Sequence, residues 1–179
     1  TMKDADATFR MLVGYLKSLG AHEAAEVILL GDGALWIWNR AEALSKELGL
    51  APGTLRQVVD WYHAVETLGK IIKTRKSLSE KAKKHWLKES KRLLWMGDIG
   101  ALTTRIEKLG VGRNAKEVRK HRDYFTKNAN RMQYKAFREA KLPIGSGAVE
   151  SAVRRIVNMR MKGNSKYWLG TNAEGMLLD

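Results

Sequence analysis

The sequence predicts a mixed α/β fold with mostly helical content, and three observations predict it. Two short apolar runs, "EVILLGDG" and "LRQVVDWYHA", each reach an aspartate, Asp32 and Asp60, in the way buried strands leave a sheet. Helical spacing lies on both sides of these runs, and the alternation of helix and strand favours parallel strands with helices across their faces. From residue 64 to about 141 there is no proline, and the stretch reads as successive helices.

Taken in order, "ADATFRMLVGYLKSLG" sets Phe9, Leu12, Val13, Leu16 and Leu19 at three- and four-residue spacing, with Asp4 or Asp6 to cap the start and Gly20 to stop it. A strand follows at about 26–31. "ALWIWNRAEALSKELG" returns to helical spacing from Ala34 and ends at Gly49. "PGT" then turns the chain into a second strand at about 56–61, whose end carries Asp60. Beyond His63, breaks are expected at Gly97, at "LGVG" over 109–112 and near Asn128 to Asn130. Trp86, Leu87, Leu93, Leu94 and Trp95 form an apolar stripe that reads as core. Pro143 disfavours helix at Leu142, and a last helix is expected from about Ala148, carrying Glu150, Arg154, Val157, Asn158 and Met161. The organisation is thus an α/β part at 1–63, a basic helical segment at 64–143 and a closing helix with a tail at 144–179.

Charge is unevenly distributed. Residues 1–69 hold 6 Lys/Arg against 9 Asp/Glu, residues 70–143 hold 22 against 7, and residues 144–179 hold 5 against 3. The middle segment therefore carries all the excess of a chain whose net charge is +14. Such a concentration points to a polyanion, with nucleic acid the first suspect, because neutralising phosphates releases counterions. The alternative is a solvated basic surface without a ligand. With no cysteine, disulfides and zinc-thiolate sites are excluded, which favours a reducing cytoplasm. No apolar run approaches a membrane span, and the N-terminus lacks a signal-peptide profile.

Three places can carry chemistry. Asp32 and Asp60 each end a buried strand, where open α/β sheets hold their ligand groups, and parallel neighbours would bring them together. An aspartate between glycines, as in "GDGA", suits a hard cation such as Mg²⁺; equally, Asp32 suits the cap of the following helix. In "DWYH", Asp60 and His63 form either an acid and imidazole pair beside a scissile phosphate or an architectural pair. On the last helix Glu150, Arg154 and Asn158 share a face, where a salt bridge of a few tenths of a kcal/mol explains the first two but not the preceding "GSGA".

The blocks "LLGDGALWIWNRA", "QVVDWYHAVETL" and "LPIGSGAVESAVRRIVNMRMKGNSKYW" together resemble the C-terminal catalytic region of DDE-type transposases of bacterial insertion sequences, in the Mutator-like group. The three occur in the family's order, with a long helical insertion between the second and third, and the match spans nearly the whole chain. The resemblance implies a ribonuclease-H-like fold, here partial, and a two-metal site of Mg²⁺ or Mn²⁺ that cleaves and transfers DNA strands. Asp32 matches the family's second catalytic aspartate and Glu150 its closing glutamate, both as metal ligands. Asp60 and His63 match the Asp/Cys-x-x-His signature, with positioning roles. Arg154, Arg155, Arg160 and Lys162 would face the DNA backbone.

The family's first aspartate lies on an opening strand, whereas this chain opens on a helix. The chain therefore reads as a fragment: a C-terminal piece of a transposase, a truncated gene or one part of a split protein. A sheet missing its opening strands exposes an unpaired edge, so a marginal, domain-swapped or self-associating chain is expected, with a homo-oligomer as the partner state. A complete triad of Asp32, Asp60 and Glu150 is the alternative alignment. Two further classes stay open: a non-catalytic basic DNA-binding module derived from a transposase, and a metal-dependent phosphoesterase of small substrates.

Overall fold

A computed structural model describes residues 5–147 together with 150, 151, 154 and 155. The chain divides into two compact units, residues 1–144 and 145–179. In the first, helix α1 (Ala5–Ser18) precedes strand β1 (Val27–Gly31), and helices α2 (Leu35–Trp38) and α3 (Ala41–Leu48) lead to strand β2 (Leu55–Val59). Five helices follow: α4 (Trp61–Lys73), α5 (Glu80–Trp95), α6 (Ile99–Glu107), α7 (Ala115–Lys127) and α8 (Tyr134–Glu139). The fold is mixed α/β and mostly helical, as the alternation predicts. Among the described residues no helix is long and apolar enough to cross a membrane.

The two strands pair in parallel, from Val27 opposite Leu55 to Gly31 opposite Val59. Parallel pairing demands a crossover, supplied here by α2 and α3. Leu44 and Leu48 of α3 bury against Val13 of α1, a small cluster that Leu29 and Leu55 join from the strands. The larger core gathers Val58 and Val59, Leu68 and Ile71 of α4, Leu94 of α5, and Leu102 of α6, all fully buried. One core thus spans the sheet and the helices that follow it.

Three boundaries differ from expectation. The second strand stops at Val59, not near 61, because Asp60 becomes the N-cap of α4: its carboxylate accepts the backbone N–H of His63 at 2.9 Å. Satisfying an orphan helix donor in this way competes directly with extending the strand. The helical run from Ala34 is two helices, parted at Asn39 and Arg40. Residues 74–79 interrupt the helical segment where no break is expected; Ser79 caps α5 through the N–H of Ala82 at 3.2 Å. The expected break at Gly97 is present, with φ of +73°, and Asp98 then caps α6.

Trp86 and Leu94 of the apolar stripe are buried, whereas Trp95 is partly exposed and packs edge-on to Trp61, with centroids 4.9 Å apart. Pro143 lies in a non-helical stretch, and the carbonyl of Ile144 accepts the N–H of Trp61 at 2.8 Å.

Candidate functional site at the carboxyl end of the strands

The register that sets Gly31 opposite Val59 brings Asp32 and Asp60 out at the same end of the sheet. The N–H of Asp60 reaches across to the carbonyl of Gly31 at 2.7 Å. Their surroundings then diverge. Asp32 is exposed, and its Oδ1 accepts the N–H of Ala34 at 2.8 Å, an Asx turn that leads into α2 without serving as its N-cap. Asp60 is buried and holds the first turn of α4.

His63 sits one turn into α4. Asp60 meets its backbone, and its ring Nδ1 lies 3.8 Å from Glu66, which also pairs with Lys70 at 3.2 Å. Asp60 is therefore the N-cap of the helix that carries His63. The imidazole is half-exposed and forms an ion pair with Glu66 when protonated.

Two tyrosines from the helical segment fasten this end of the sheet. Tyr124 of α7 donates its hydroxyl to the carbonyl of Asp32 at 3.0 Å, and Tyr134 of α8 donates to the carbonyl of Val59 at 3.0 Å. Gly33 has φ of +94°, and a Cβ there would lie 2.5 Å from Cε2 of Tyr124, so only glycine permits both the turn and the ring's approach. Burial, and then the carboxylates of Asp32 and Asp60, push the Tyr124 phenol well above the ordinary tyrosine range. Burial does the same to Tyr134, with smaller contributions from Tyr124 and Asp60. Both hydroxyls stay protonated at any physiological pH and act as fixed donors.

Beside Tyr124 a cleft of about 500 Å³ separates α7 from the segment around Gly33, Leu35 and Trp38. Its α7 wall carries Lys116, Arg119, Lys120 and Lys127, none of them buried. Arg131 closes one end, its guanidinium 4.8 Å from the Trp38 ring centroid and its Nε donating to Gln57 of β2 at 2.7 Å.

In the second unit Gly147, Glu150, Ser151, Arg154 and Arg155 are helical. Glu150, Arg154 and Arg155 are exposed there. The partner of the Glu150 carboxylate is the hydroxyl of Ser146, which donates to Oε1 at 2.7 Å; no ion pair with Arg154 occurs among the described residues. Val157, Asn158, Arg160, Met161 and Lys162 lie outside the described residues, as does Asp4.

Hard divalent cations take oxygen ligands. Asp32 carries carboxylate oxygens, is exposed, and among the described residues accepts one hydrogen bond, from Ala34, on Oδ1. Asp60 lies beside it but already serves α4. No three His, Cys, Asp or Glu side chains gather closely enough to hold a metal ion among the described residues. An exposed carboxylate such as that of Asp32 has the oxygen-donor chemistry that a hard divalent cation takes.

The cleft and Tyr124 are not among the residues that the sequence singles out. Lys116, Arg119, Lys120 and Lys127 are readable as one helical stripe, but the contact that gives them meaning joins residues 92 positions apart. In comparisons with known proteins, the chain matches no protein-family model, no curated protein and no solved structure.

Proposed function

We propose that this chain is a DNA transposase of the DDE type, or a part of one, with a ribonuclease-H-like sheet and the metal-dependent cleavage and transfer of DNA strands as its chemistry. The observation that carries the reading is the emergence of Asp32 and Asp60 from one end of two parallel strands, next to a cationic cleft. Two Mg²⁺ or Mn²⁺ ions held by Asp32 and Glu150 would activate a water or 3′-hydroxyl and stabilise the leaving oxygen. Asp60 keeps the start of α4 in place beside Asp32, and His63 follows on the same turn as a strand-handling group. Tyr124 holds the Asp32 loop from α7. Arg154, Arg155, Arg160 and Lys162 would take phosphate contacts.

The test is nicking of supercoiled DNA with Mg²⁺ or Mn²⁺. Wild type nicks, and both Asp32→Asn and Glu150→Gln lose at least ~100-fold in rate, on the order expected when a charge-stabilising group is removed. Absence of nicking by the wild type, or full activity in both variants, contradicts the reading.

A second reading is a DNA-binding module without catalysis. The observation that favours it is that five Lys and Arg side chains and a single carboxylate, Asp123, line the cleft. It predicts salt-sensitive DNA binding that is indifferent to Mg²⁺ and to Glu150→Gln.

A further inference from the structure

We infer that the cleft between α7 and the Gly33–Trp38 segment seats a DNA phosphate backbone, gripped by Lys116, Arg119, Lys120 and Lys127 and delivered beside Asp32. The inference rests on the proposed function for the identity of the polyanion as DNA; the choice of residues rests on the cleft itself.

The spacing is the first argument. Positions 116, 119, 120, 124 and 127 follow the three- and four-residue steps of one helical face, so the four cations line up along α7. Eleven residues at 1.5 Å each give about 16 Å between Lys116 and Lys127. A single phosphate cannot occupy that length, whereas a nucleic-acid strand, with a charge about every 3.4 Å along the helix axis, matches it.

Electrostatics point the same way. None of these four cations forms an ion pair with a carboxylate among the described residues. The one acid in the wall, Asp123, is engaged by Arg122 at 2.7 Å. Arg131 is engaged by Gln57 and Trp38 and closes the cleft end as a structural group. The four therefore present uncompensated charge in a concave setting, where the field of neighbouring cations adds.

Thirdly, Trp38 lines the cleft and is more than nine-tenths buried, and its Nε1 has no hydrogen-bond partner among the described residues. A buried N–H is ordinarily paired, and an orphan indole donor among cations suits a ligand with acceptor oxygens.

Finally, Tyr124 lies in the same face of α7 and donates to the carbonyl of Asp32. A strand held by the four cations is thereby set at a fixed distance from the proposed metal ligand. Tyr124 is a positioning residue in this arrangement, acting through the Gly33 turn.

The experiment is fluorescence anisotropy of a labelled DNA duplex titrated with the full chain across a range of KCl concentrations. The cleft variant carries Lys116→Ala, Arg119→Ala, Lys120→Ala and Lys127→Ala. Its control removes equal charge from α5, with Lys81→Ala, Lys84→Ala, Lys88→Ala and Lys91→Ala. Circular dichroism first establishes that both variants are folded. The cleft variant binds at least ~10-fold more weakly near 0.1 M salt, and its slope of log K against log salt flattens by about 3 to 4, or roughly 0.9 for each phosphate that is no longer neutralised. The α5 variant keeps most of its affinity and slope. Equal losses in the two variants, unchanged binding in the cleft variant, or no salt-dependent binding by wild type overturns the inference. The titration is run without added divalent cation and reads binding alone, so its outcome separates from that of the nicking test, which reads metal-dependent cleavage.

Discussion

The carboxyl end of the sheet and the helical body behind it are built on different principles. Every residue of β1 is only half-buried, whereas Leu102 and Ile106 of α6 and Val118 and Phe125 of α7 are buried completely or almost so. A two-stranded sheet is marginal by itself and needs packing against helices to persist. Here the helices supply it, and they also hold the strand ends directly, through Tyr124 to Asp32, Tyr134 to Val59 and Arg131 to Gln57. Stability thus resides in the helices and in Val58 and Val59 of β2, which share their core, whereas Asp32 stands at the end of the less buried β1.

The largest effect that could break this contrast is in the core. Phe125→Ala removes a fully buried ring and should destabilise by about 3–5 kcal/mol in urea unfolding. Leu29→Ala in half-buried β1 should cost about 2 kcal/mol or less. Equal losses would erase the distinction between the helical body and β1.

Gly33→Ala sharpens it next. The positive φ and the Tyr124 ring together should cost roughly 1–3 kcal/mol. Part of that cost should disappear in a Tyr124→Ala background, because the clash is gone while the backbone strain remains. A double-mutant cycle with no coupling would detach Tyr124 from the Asp32 turn.

Asp60→Ala should cost about 1 kcal/mol through removal of a helix cap, and Asp32→Ala distinctly less, since its carboxylate is exposed and supports one turn. Comparable thermal shifts in the two variants would contradict the division of labour between the neighbouring aspartates.

The smallest effect is on pH. Burial lowers the pKa of His121 on α7; Glu117 opposes the shift, and Lys120 and Lys70 reinforce it. The folded value lies below the unfolded 6.5, so between the two the unfolded chain binds more protons and stability rises with pH. The contribution is complete above about 6.5 and is lost as pH falls through the folded value. His121→Gln should flatten the dependence of the urea midpoint on pH across the mildly acidic range; an unchanged slope would count against a buried imidazole.

Much of the architecture is legible in the sequence because it is locally encoded. The runs through Val27–Gly31 and Leu55–Val59 are apolar enough to announce strands, although β1 is only half-buried and β2 is buried only at Val58 and Val59, and the helical stretch between them announces parallel pairing. The end of β2 is misread because "VVDWYH" contains neither glycine nor proline. An aspartate there can end a strand or cap a helix, and only the hydrogen bond to His63 decides. The same holds at residues 74–79, where Ser79 alone carries the start of α5. Asp32 and Asp60 are legible as neighbours because register follows from parallel pairing. The cleft is not, because its two walls meet only through tertiary packing of Tyr124 on Gly33.

The most direct test of the central claim, that the Asp32 end of the sheet holds a divalent cation, replaces Mg²⁺ with Fe²⁺ and generates hydroxyl radicals with ascorbate and peroxide. Radicals formed at a bound metal cut the nearby polypeptide, and mass spectrometry locates the cuts. Cleavage is expected next to Asp32 and Asp60, suppressed by excess Mg²⁺ and abolished in Asp32→Asn. Cleavage elsewhere, or an unchanged pattern in Asp32→Asn, would contradict it.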